Sequence, residues 1–227
     1  MNADNSKAIV VADDNPVLVS LLTEIFREAG WTVISASDGF GALSAIRSCS
    51  PQILLSDLNM PAMSGFELLS VVRCKYPGIG VVAMSGSYGG EDVPRGVAAD
   101  GFYAKGSTSV KKLLELVSGL LTDSSYTHSR KPAPVWAPRL RYDVVGPGAL
   151  LTTCPECLRA SVHQTAGPGI LQIEVCCLHC LHAYRLSIVK DCSDTDMSTL
   201  VALQRSCKLD LSTDQSNIRC LESAEHR

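Results

Sequence analysis

Five polar residues in the first half of the sequence each stand directly after a short apolar run. Asp13 and Asp14 follow the first run, Asp57 the third, Ser85 the fourth and Lys105 the fifth. If the runs are parallel strands, their carboxyl ends meet at one edge of a sheet and bring these residues together. Three clustered carboxylates repel one another and need a divalent cation, and oxygen ligands of this kind suit Mg²⁺. The Lys105 ammonium, the Ser85 hydroxyl and a carboxylate nucleophile complete what a transferred phosphoryl group requires.

A second set of reactive side chains lies in the other half, which holds eight of the ten cysteines. Two C-x-x-C pairs, Cys154 with Cys157 and Cys177 with Cys180, are separated by 19 residues. In a reducing compartment such pairs hold metal more often than they form disulfides. Four thiolates at this spacing predict one tetrahedral Zn²⁺ in a closed, structural site.

The ligand set of this zinc site has alternatives. Cys176 stands beside Cys177, which leaves the register open, and we favour Cys177 because it gives the usual two-residue gap. His163, His179 or His182 could also take one ligand position. A redox C-x-x-C pair would need a thioredoxin-like βαβ context, which the surrounding sequence lacks.

The elements that must position the first set follow from hydrophobic periodicity. Short apolar runs, typical of strands buried on both faces, alternate with amphipathic stretches typical of helices. The predicted strands cover residues 8–12, 32–35, 53–56, 81–84 and 101–104. This alternation predicts a five-stranded parallel sheet covered by helices on both faces, a doubly wound α/β fold.

The predicted helices carry their own start signals. Asn15 and Pro16 begin the first helix, and its buried stripe is Leu18, Leu21, Leu22, Ile25 and Phe26. A capping box of Ser64 and Glu67 begins the helix after the third strand, which runs towards Lys75. Ser109 caps the last helix, which continues to residue 121. The glycine-rich stretch 86–96 predicts only a short or frayed helix.

The composition indicates an ordinary globular protein in two domains. The 227 residues are 46% apolar and 19% charged with a net charge of -3. A first domain covers 6–121, a linker with four of the eleven prolines covers 122–150, and a small β domain covers 151–210. In the small domain we expect a hairpin of 160–164 with 170–176, a third strand at 183–189 and a helix at 197–207. Residues 211–227 are predicted to be a flexible tail, and no internal repeat is evident.

Two features predict a cytoplasmic protein without membrane insertion. The first residues lack a basic flank, and Asp13 and Asp14 end the first apolar run before it reaches signal-peptide length. The longest apolar-biased stretch, 169–189, contains Glu174 and Arg185, so it is unsuited to cross a bilayer.

The first half resembles the receiver domain of bacterial two-component response regulators over roughly residues 6–121. The motifs that carry the resemblance occur in the family's order and close to its spacing. They are VADDN at 11–15, DLNMPAMSG at 57–65, MSG at 84–86 and FYAK at 102–105. The family usually has proline after the lysine, and here Gly106 takes that place.

The resemblance implies a role for each matched residue. Asp57 is the expected phospho-acceptor, with Lys105 and Ser85 on the phosphoryl oxygens and Phe102 as the aromatic switch that responds to Ser85. The expected Mg²⁺ ligands are Asp14, Asp57 and the backbone carbonyl of Asn59, with Asp13 acting through water. The donor would be a sensor histidine kinase or a phosphotransfer protein. Such a protein is a signalling phospho-acceptor that catalyses only its own phosphorylation and dephosphorylation, so it is not expected to be an enzyme.

The second half looks like a zinc ribbon, so we expect it to be the output module. Zinc ribbons bind protein or nucleic acid. Residues 151–227 carry 7 basic against 9 acidic residues, which disfavours binding to a phosphate backbone and slightly favours a protein partner.

Two other functions are compatible with parts of the sequence. A phosphatase of the haloacid dehalogenase type also uses an aspartate after a strand, but it needs a second acid two residues later, where this chain has Asn59. A receiver that only docks would have lost catalytic residues, whereas every position here is filled. Taken singly, an Asp pair after a strand is more often a turn or cap, and the joint pattern favours the phospho-acceptor.

Overall fold

A five-stranded parallel sheet forms the framework of the N-terminal half. The structure, a computed structural model, describes residues 7–88, 93, 97–122, 134–138, 149–164 and 172–189. The sheet order is β2-β1-β3-β4-β5, with bounds β1 Ala8–Ala12, β2 Thr32–Ala36, β3 Ile53–Asp57, β4 Gly80–Ser85 and β5 Gly101–Ala104. The predicted doubly wound α/β fold is confirmed, and each strand ends within one residue of its expected bounds.

Among the residues that the structure describes, four helices cover the two faces of this sheet: α1 Pro16–Glu28, α2 Gly39–Cys49, α3 Gly65–Lys75 and α4 Val110–Thr122. Successive residues of a strand point to opposite faces. Ile9 and Val11 of β1 therefore pack in one apolar cluster with residues of α1 and α4. Val10 and Ala12 pack in the other cluster, with residues of α2 and α3. The middle strands are buried on both faces, as their unbroken apolar runs predicted.

Helix α1 starts as predicted, but its buried stripe is narrower. The Asn15 side chain accepts hydrogen bonds from the N–H groups of Val17 and Leu18 at 3.0 and 3.3 Å. Leu22 and Phe26 are buried. Leu21, which we expected in the stripe, is 50% exposed. One residue is a rotation of about 100° on a helix, so a helix whose Leu22 faces the sheet turns Leu21 towards solvent.

Helix α3 begins where its capping box predicted and ends at Lys75, as expected. Only half of the box forms. The Ser64 hydroxyl accepts from the Glu67 N–H at 3.4 Å. The Glu67 carboxylate, which should reach back to the Ser64 N–H, instead accepts from the N–H of Thr153 at 2.5 Å. A tertiary contact has replaced the local one.

The chain between β4 and β5 contains no helix among its described residues, 86–88, 93 and 97–100. The rest of the segment in which we predicted a short helix lies outside the described residues. After β5, Gly106 has φ +80. Proline holds φ near -65°, so the glycine suits this backbone where the family's usual proline would not.

The second half forms two small sheets, which we call the cysteine module (described residues 134–138, 149–164 and 172–189). Its strands are β6 Val135–Pro138, β7 Ala149–Thr153, β8 Ala160–Gln164, β9 Gln172–Cys176 and β10 Ala183–Val189. β7 pairs antiparallel with β8, and β10 pairs antiparallel with β9 and parallel with β6. The predicted hairpin of 160–164 with 170–176 is therefore wrong. Each C-x-x-C pair lies instead at the turn of its own hairpin.

The predicted linker contains strands. All of β6 and the first two residues of β7 fall within 122–150, so the structured part of the module extends into the region predicted as linker. The predicted helix at 197–207 and the predicted tail at 211–227 lie outside the described residues.

The cysteine module packs against α3. Val135 of β6, Leu150 of β7 and Leu186 of β10 belong to the same apolar cluster as Phe66 and Leu69 of α3. In the described part of the chain, no helix has the length and apolar character needed to cross a bilayer.

Candidate functional site

The acidic residues predicted from the strand ends lie together at the carboxyl edge of the sheet. β1 and β3 are neighbours, so Asp13 and Asp57 emerge side by side. One carboxylate oxygen each of Asp13, Asp14 and Asp57 lies within 4.8 Å of the others. Asp13 and Asp57 are buried and Asp14 is exposed. Three carboxylates with one solvent-facing side are a donor set that fits Mg²⁺, which keeps several of its waters.

Lys105 joins two of these carboxylates. Its Nζ lies 2.6 Å from Asp13 Oδ2 and 2.7 Å from Asp57 Oδ1. Burial raises the pKa of Asp57, although the Lys105 ammonium opposes this shift. Burial alone would lower the pKa of Lys105, but its hydrogen bonds to Asp13 and Asp57 outweigh that effect and the pKa is raised. Lys105 is therefore held as a cation against the carboxylate pair.

Ser85 is the last residue of β4, and Phe102 lies in β5. Ser85 is fully buried, and its hydroxyl accepts from the Ser87 N–H at 3.1 Å. Its backbone carbonyl accepts from the Lys105 N–H at 2.8 Å, which joins the ends of β4 and β5. Phe102 is 5% exposed and packs in the cluster with α3.

The loop after β3 is shaped by close backbone contacts. The Asn59 N–H donates to Asp57 Oδ2 at 3.2 Å, which orients the carboxylate. The Gly65 N–H donates to the Leu58 carbonyl at 3.0 Å. A Cβ at Gly65 would lie 1.9 Å from the Asp57 carbonyl oxygen, so only glycine allows α3 to start this close to Asp57.

A comparison with protein families matches residues 9–117 to the family described as the response regulator receiver domain. This half of the chain is a response regulator receiver domain. The match covers every residue of the acidic pocket.

Curated relatives resemble the receiver domain at moderate identity. The probable transcriptional regulatory protein TcrX of Mycobacterium tuberculosis is 30% identical over 120 residues, 52% of this chain and 51% of TcrX. The DNA-binding response regulator MtrA of Mycolicibacterium smegmatis is 33% identical over 99 residues, 43% of each chain. The chain thus spans about half the length of the curated relatives it matches.

A solved structure of the response regulator TrrA of Thermotoga maritima, in complex with Mg²⁺ and BeF, is also similar. It shares 30% identity with this chain and covers 50% of it, while this chain covers 98% of TrrA, with a TM-score of 0.46.

The four predicted cysteine ligands form the second cluster. The sulfur atoms of Cys154, Cys157, Cys177 and Cys180 lie within 4.8 Å of one another. Cys154 and Cys180 are 3.7 Å apart and Cys157 and Cys177 are 3.6 Å apart, measured between sulfurs. Burial raises the pKa of Cys154 to about 12, so a thiolate there requires a cation. Four convergent sulfurs are the donor set of a structural zinc site.

The alternative ligands lie elsewhere. The sulfur of Cys176 donates to the Leu181 carbonyl at 3.3 Å, and Cys176 is not part of the cluster. A ring nitrogen of His163 lies 2.9 Å from the Ser161 hydroxyl, and one of His179 lies 3.2 Å from the Ala160 carbonyl. His182 stacks on Tyr184. The geometry therefore favours Cys177 over Cys176 and over the three histidines as a ligand.

The two C-x-x-C turns are copies of each other, which the sequence analysis missed. Both read Cys-x-x-Cys-Leu-x-Ala, at 154–160 and 177–183. The first cysteine of each donates its N–H to the carbonyl five residues on, at 3.0 and 2.9 Å, and its sulfur accepts an N–H from two residues on at 3.4 Å in both. Leu158 and Leu181 both have positive φ, 59 and 61. The shared Leu-x-Ala was the signal that could have revealed this repeat.

Glu67 is the other residue that sequence reasoning assigned only to a local cap. It is 6% exposed, and burial raises its pKa from 4.5 to about 7 despite the hydrogen bond from Thr153. Its partner is 86 positions away, so no local sequence pattern could have identified the contact.

Proposed function

We propose that the protein is a phospho-accepting response regulator in which Asp57 receives a phosphoryl group from a phosphohistidine of a sensor histidine kinase or a phosphotransfer protein. The observation that carries this proposal is the position of Lys105 Nζ. It lies 2.6 Å from the Asp13 carboxylate and 2.7 Å from the Asp57 carboxylate, at the ends of adjacent strands. TrrA, one of the similar proteins, has been solved in complex with the histidine kinase ThkA.

The chemistry is a displacement at phosphorus. An oxygen of Asp57 attacks the phosphorus, the bond from phosphorus to the histidine nitrogen breaks, and the electron pair stays on the imidazole. Water later attacks the phosphorus of the acyl phosphate, which releases inorganic phosphate and restores the Asp57 carboxylate. Bound Mg²⁺ would neutralise charge on the phosphoryl oxygens, held by Asp14, Asp57 and the Asn59 carbonyl, with Asp13 acting through water.

The remaining pocket residues respond to the new group. Phosphorylation adds roughly -1.5 to -2 charges and new acceptor oxygens. In this proposal Lys105 pairs with one of these oxygens, and the Ser85 hydroxyl leaves the Ser87 N–H to donate to another. The displacement of Ser85 frees space for Phe102, which changes rotamer and carries the change to the surface of the receiver domain.

Phosphorylation is tested by intact-mass spectrometry after incubation with acetyl phosphate and Mg²⁺. We expect one labile phosphoryl group on the wild-type chain and none on Asp57→Asn. Glu24→Gln, a change at an exposed acidic residue of α1, is the matched control and should label like the wild type. Equal labelling of Asp57→Asn would contradict the proposal.

We further propose that Cys154, Cys157, Cys177 and Cys180 hold one structural Zn²⁺, which makes the cysteine module a zinc ribbon. The support is the group of four sulfurs together with the paired N–H to sulfur bonds in both turns. Four protein ligands close the coordination sphere, so the metal has no open position for catalysis. Elemental analysis of freshly purified protein should find one zinc per chain, and a metal-free, folded module would contradict this assignment.

The output of this module is proposed to be a protein contact rather than nucleic-acid binding. Its sequence lacks an excess of basic residues, and Leu178 and Leu181 of the second turn are 52% and 73% exposed. MtrA is named as DNA-binding, but it matches only 43% of this chain. Retention of the full chain on random-sequence DNA or RNA at physiological salt would contradict a protein output.

The phosphatase alternative has less support. Asn59 occupies the position where that chemistry needs a second acid, and the Asn59 N–H binds the Asp57 carboxylate. Sustained turnover of p-nitrophenyl phosphate that depends on Asp57 would favour this alternative.

A further inference from the structure

Helix α3 is enclosed on more sides than the other helices of the receiver domain. Eight consecutive residues, 65–72, are buried, whereas α1 buries only Leu22 and Phe26. One side of α3 faces the sheet, and the other is covered by β6 and β7 of the cysteine module. A helix buried all round has no free face, so any shift of α3 must be accommodated by both neighbours.

The contact between α3 and the cysteine module is polar at three points along the helix. The Glu67 carboxylate accepts from the Thr153 N–H at 2.5 Å. The Ser70 hydroxyl accepts from the Trp136 N–H at 3.1 Å. Lys75 donates to the Glu156 carbonyl, and its Nζ lies 3.6 Å from the Glu156 carboxylate.

Two of these three points attach to the first cysteine turn. Thr153 directly precedes Cys154, and Glu156 lies between Cys154 and Cys157. A metal bound to the four sulfurs would fix the backbone of this turn, because each ligand is held at a set distance and angle. It would thereby fix the groups that α3 binds.

The same helix begins at the phosphorylation site and ends at the opposite edge of the sheet. Its first residue, Gly65, packs directly on the Asp57 carbonyl. Near its last turn, Arg73 forms a buried ion pair with Asp100 at 2.8 Å. Asp100 also accepts from the Val81 N–H at 2.9 Å and stands just before β5, which carries Phe102. Phe102 also belongs to the same apolar cluster as Phe66 and Leu69 of α3, so a change of its rotamer acts on α3.

We propose that α3 is the docking surface of the receiver domain for its own cysteine module, that the Glu67 carboxylate is the positioning group on which docking depends, and that phosphorylation at Asp57 and metal binding at the cysteines oppose each other. This inference rests on the proposed function, because it needs both a phosphoryl acceptor and a bound metal.

The sign follows from the contacts that phosphorylation must break. In the docked arrangement Lys105 is bound to Asp57 and the Ser85 hydroxyl to the Ser87 N–H. A phosphoryl group takes both partners away, and the space that Ser85 leaves lets Phe102 change rotamer within the cluster that it shares with α3. Packed interfaces change between discrete arrangements rather than deform gradually, so a shift of α3 releases the first cysteine turn. Linkage then requires that metal binding disfavour phosphorylation to the same extent.

The test measures the release of zinc from the full chain to an excess of a chromophoric chelator, with and without Mg²⁺ and beryllofluoride as the phosphoryl mimic. Beryllofluoride should accelerate release from the wild type at least about fivefold, the lower end of usual coupling. Glu67→Ala, which removes the acceptor, should release zinc rapidly without the mimic and respond little to it. The exposed-site control Glu24→Ala should respond like the wild type, and Glu67→Gln, which keeps an acceptor oxygen, should release zinc no faster than the wild type before the mimic is added.

An unchanged or slower release from the wild type, with beryllofluoride bound, would overturn the coupling whatever the variants do. The wild-type comparison decides the matter even if Glu67→Ala fails to fold. Binding of the mimic is followed separately by fluorine NMR and zinc content by elemental analysis. If either ligand fails to bind, the proposed function itself is wrong and the inference falls with it.

Discussion

The two halves of the chain bury different kinds of side chain. The receiver domain places aliphatic residues on both faces of its sheet, with Val10 on one face and Val11 on the other. The cysteine module buries hydroxyls and an imidazole: the Tyr184 hydroxyl lies 2.9 Å from the Thr152 hydroxyl and 3.2 Å from a His163 ring nitrogen. Burial lowers the pKa of His163 to about 4, so this ring stays neutral. The first half can fold on apolar burial, whereas the second has so small an apolar core that we expect it to depend on the proposed zinc and on its neighbour.

Loss of the metal should produce the largest difference in stability between the two halves. Structural zinc contributes about 10–16 kcal/mol in zinc-finger peptides, so removal by chelation or by Cys157→Ser should unfold the cysteine module while the receiver sheet stays folded. Hydrogen exchange should show lost protection at 149–164 and 172–189 and retained protection at β1 and β3. Cys176→Ser, beside a ligand but outside the cluster, is the control and should keep its zinc. Equal loss in both variants would show that the ligand assignment is wrong.

Truncation of a buried side chain in the receiver core should lower the unfolding free energy of the receiver domain. Leu22→Ala removes a fully buried side chain and should cost about 2–5 kcal/mol of unfolding free energy. Leu21→Ala, at the exposed neighbouring position, should cost less than about 1 kcal/mol. Urea unfolding can be followed by the fluorescence of Trp31, whose ring packs edge-on against Phe26 with centroids 6.1 Å apart. Equal destabilisation by the two substitutions would contradict the burial of Leu22 and the exposure of Leu21.

The contact between the halves should depend on pH through Glu67. Its pKa is about 7 when folded against 4.5 ordinarily. Because the folded value is the higher one, the stability contributed by the protonated carboxyl is complete below 4.5 and is lost as the pH rises through 7. Glu67→Gln cannot ionise, so it should gain up to about 3 kcal/mol over the wild type between pH 5 and pH 8. Thermal unfolding of both proteins at the two pH values measures this, and a constant difference would contradict it.

The smallest effect is expected at the second cysteine turn. Leu181 is 73% exposed with φ +61, a conformation that costs a non-glycine residue about 1–2 kcal/mol. Leu181→Gly should stabilise the zinc-loaded module by about 1 kcal/mol, since little buried surface is lost. Thermal unfolding of the zinc-loaded chain should show a higher midpoint, and a lower one would mean that the leucine packs in a way that its exposure does not show.

The sequence was sufficient for the receiver fold because its signals are local. Apolar runs such as residues 53–56 and 81–84 marked the central strands. Asp57 and Ser85 were identified as site residues because each directly follows one of these runs. The acidic pocket then required only the rule that parallel strands end at one edge. Leu21 was misjudged because periodicity does not reveal how wide a strip of the helix the sheet covers.

The cysteine module was harder to predict, for two different reasons. β8 was expected to pair with the strand that follows it, yet it pairs with β7, on the other side of the first cysteine turn. The Glu67 carboxylate left its local cap for a backbone N–H in another part of the chain. The repeated Cys-x-x-Cys-Leu-x-Ala turns could have revealed the first pairing, whereas the Glu67 contact has no local pattern and only the packed structure could show it.

Strand β6 has a practical consequence for the choice of fragment boundaries when the output half is expressed alone. Val135–Pro138 lies alongside β10 as a parallel neighbour, so a fragment starting at residue 151 would lack that strand and the first two residues of β7. Uncovered strand edges recruit other chains, and the fragment would tend to aggregate for reasons unrelated to its biology. A fragment meant to represent the output half should begin upstream of residue 134, and even then the side that normally rests on α3 would face water.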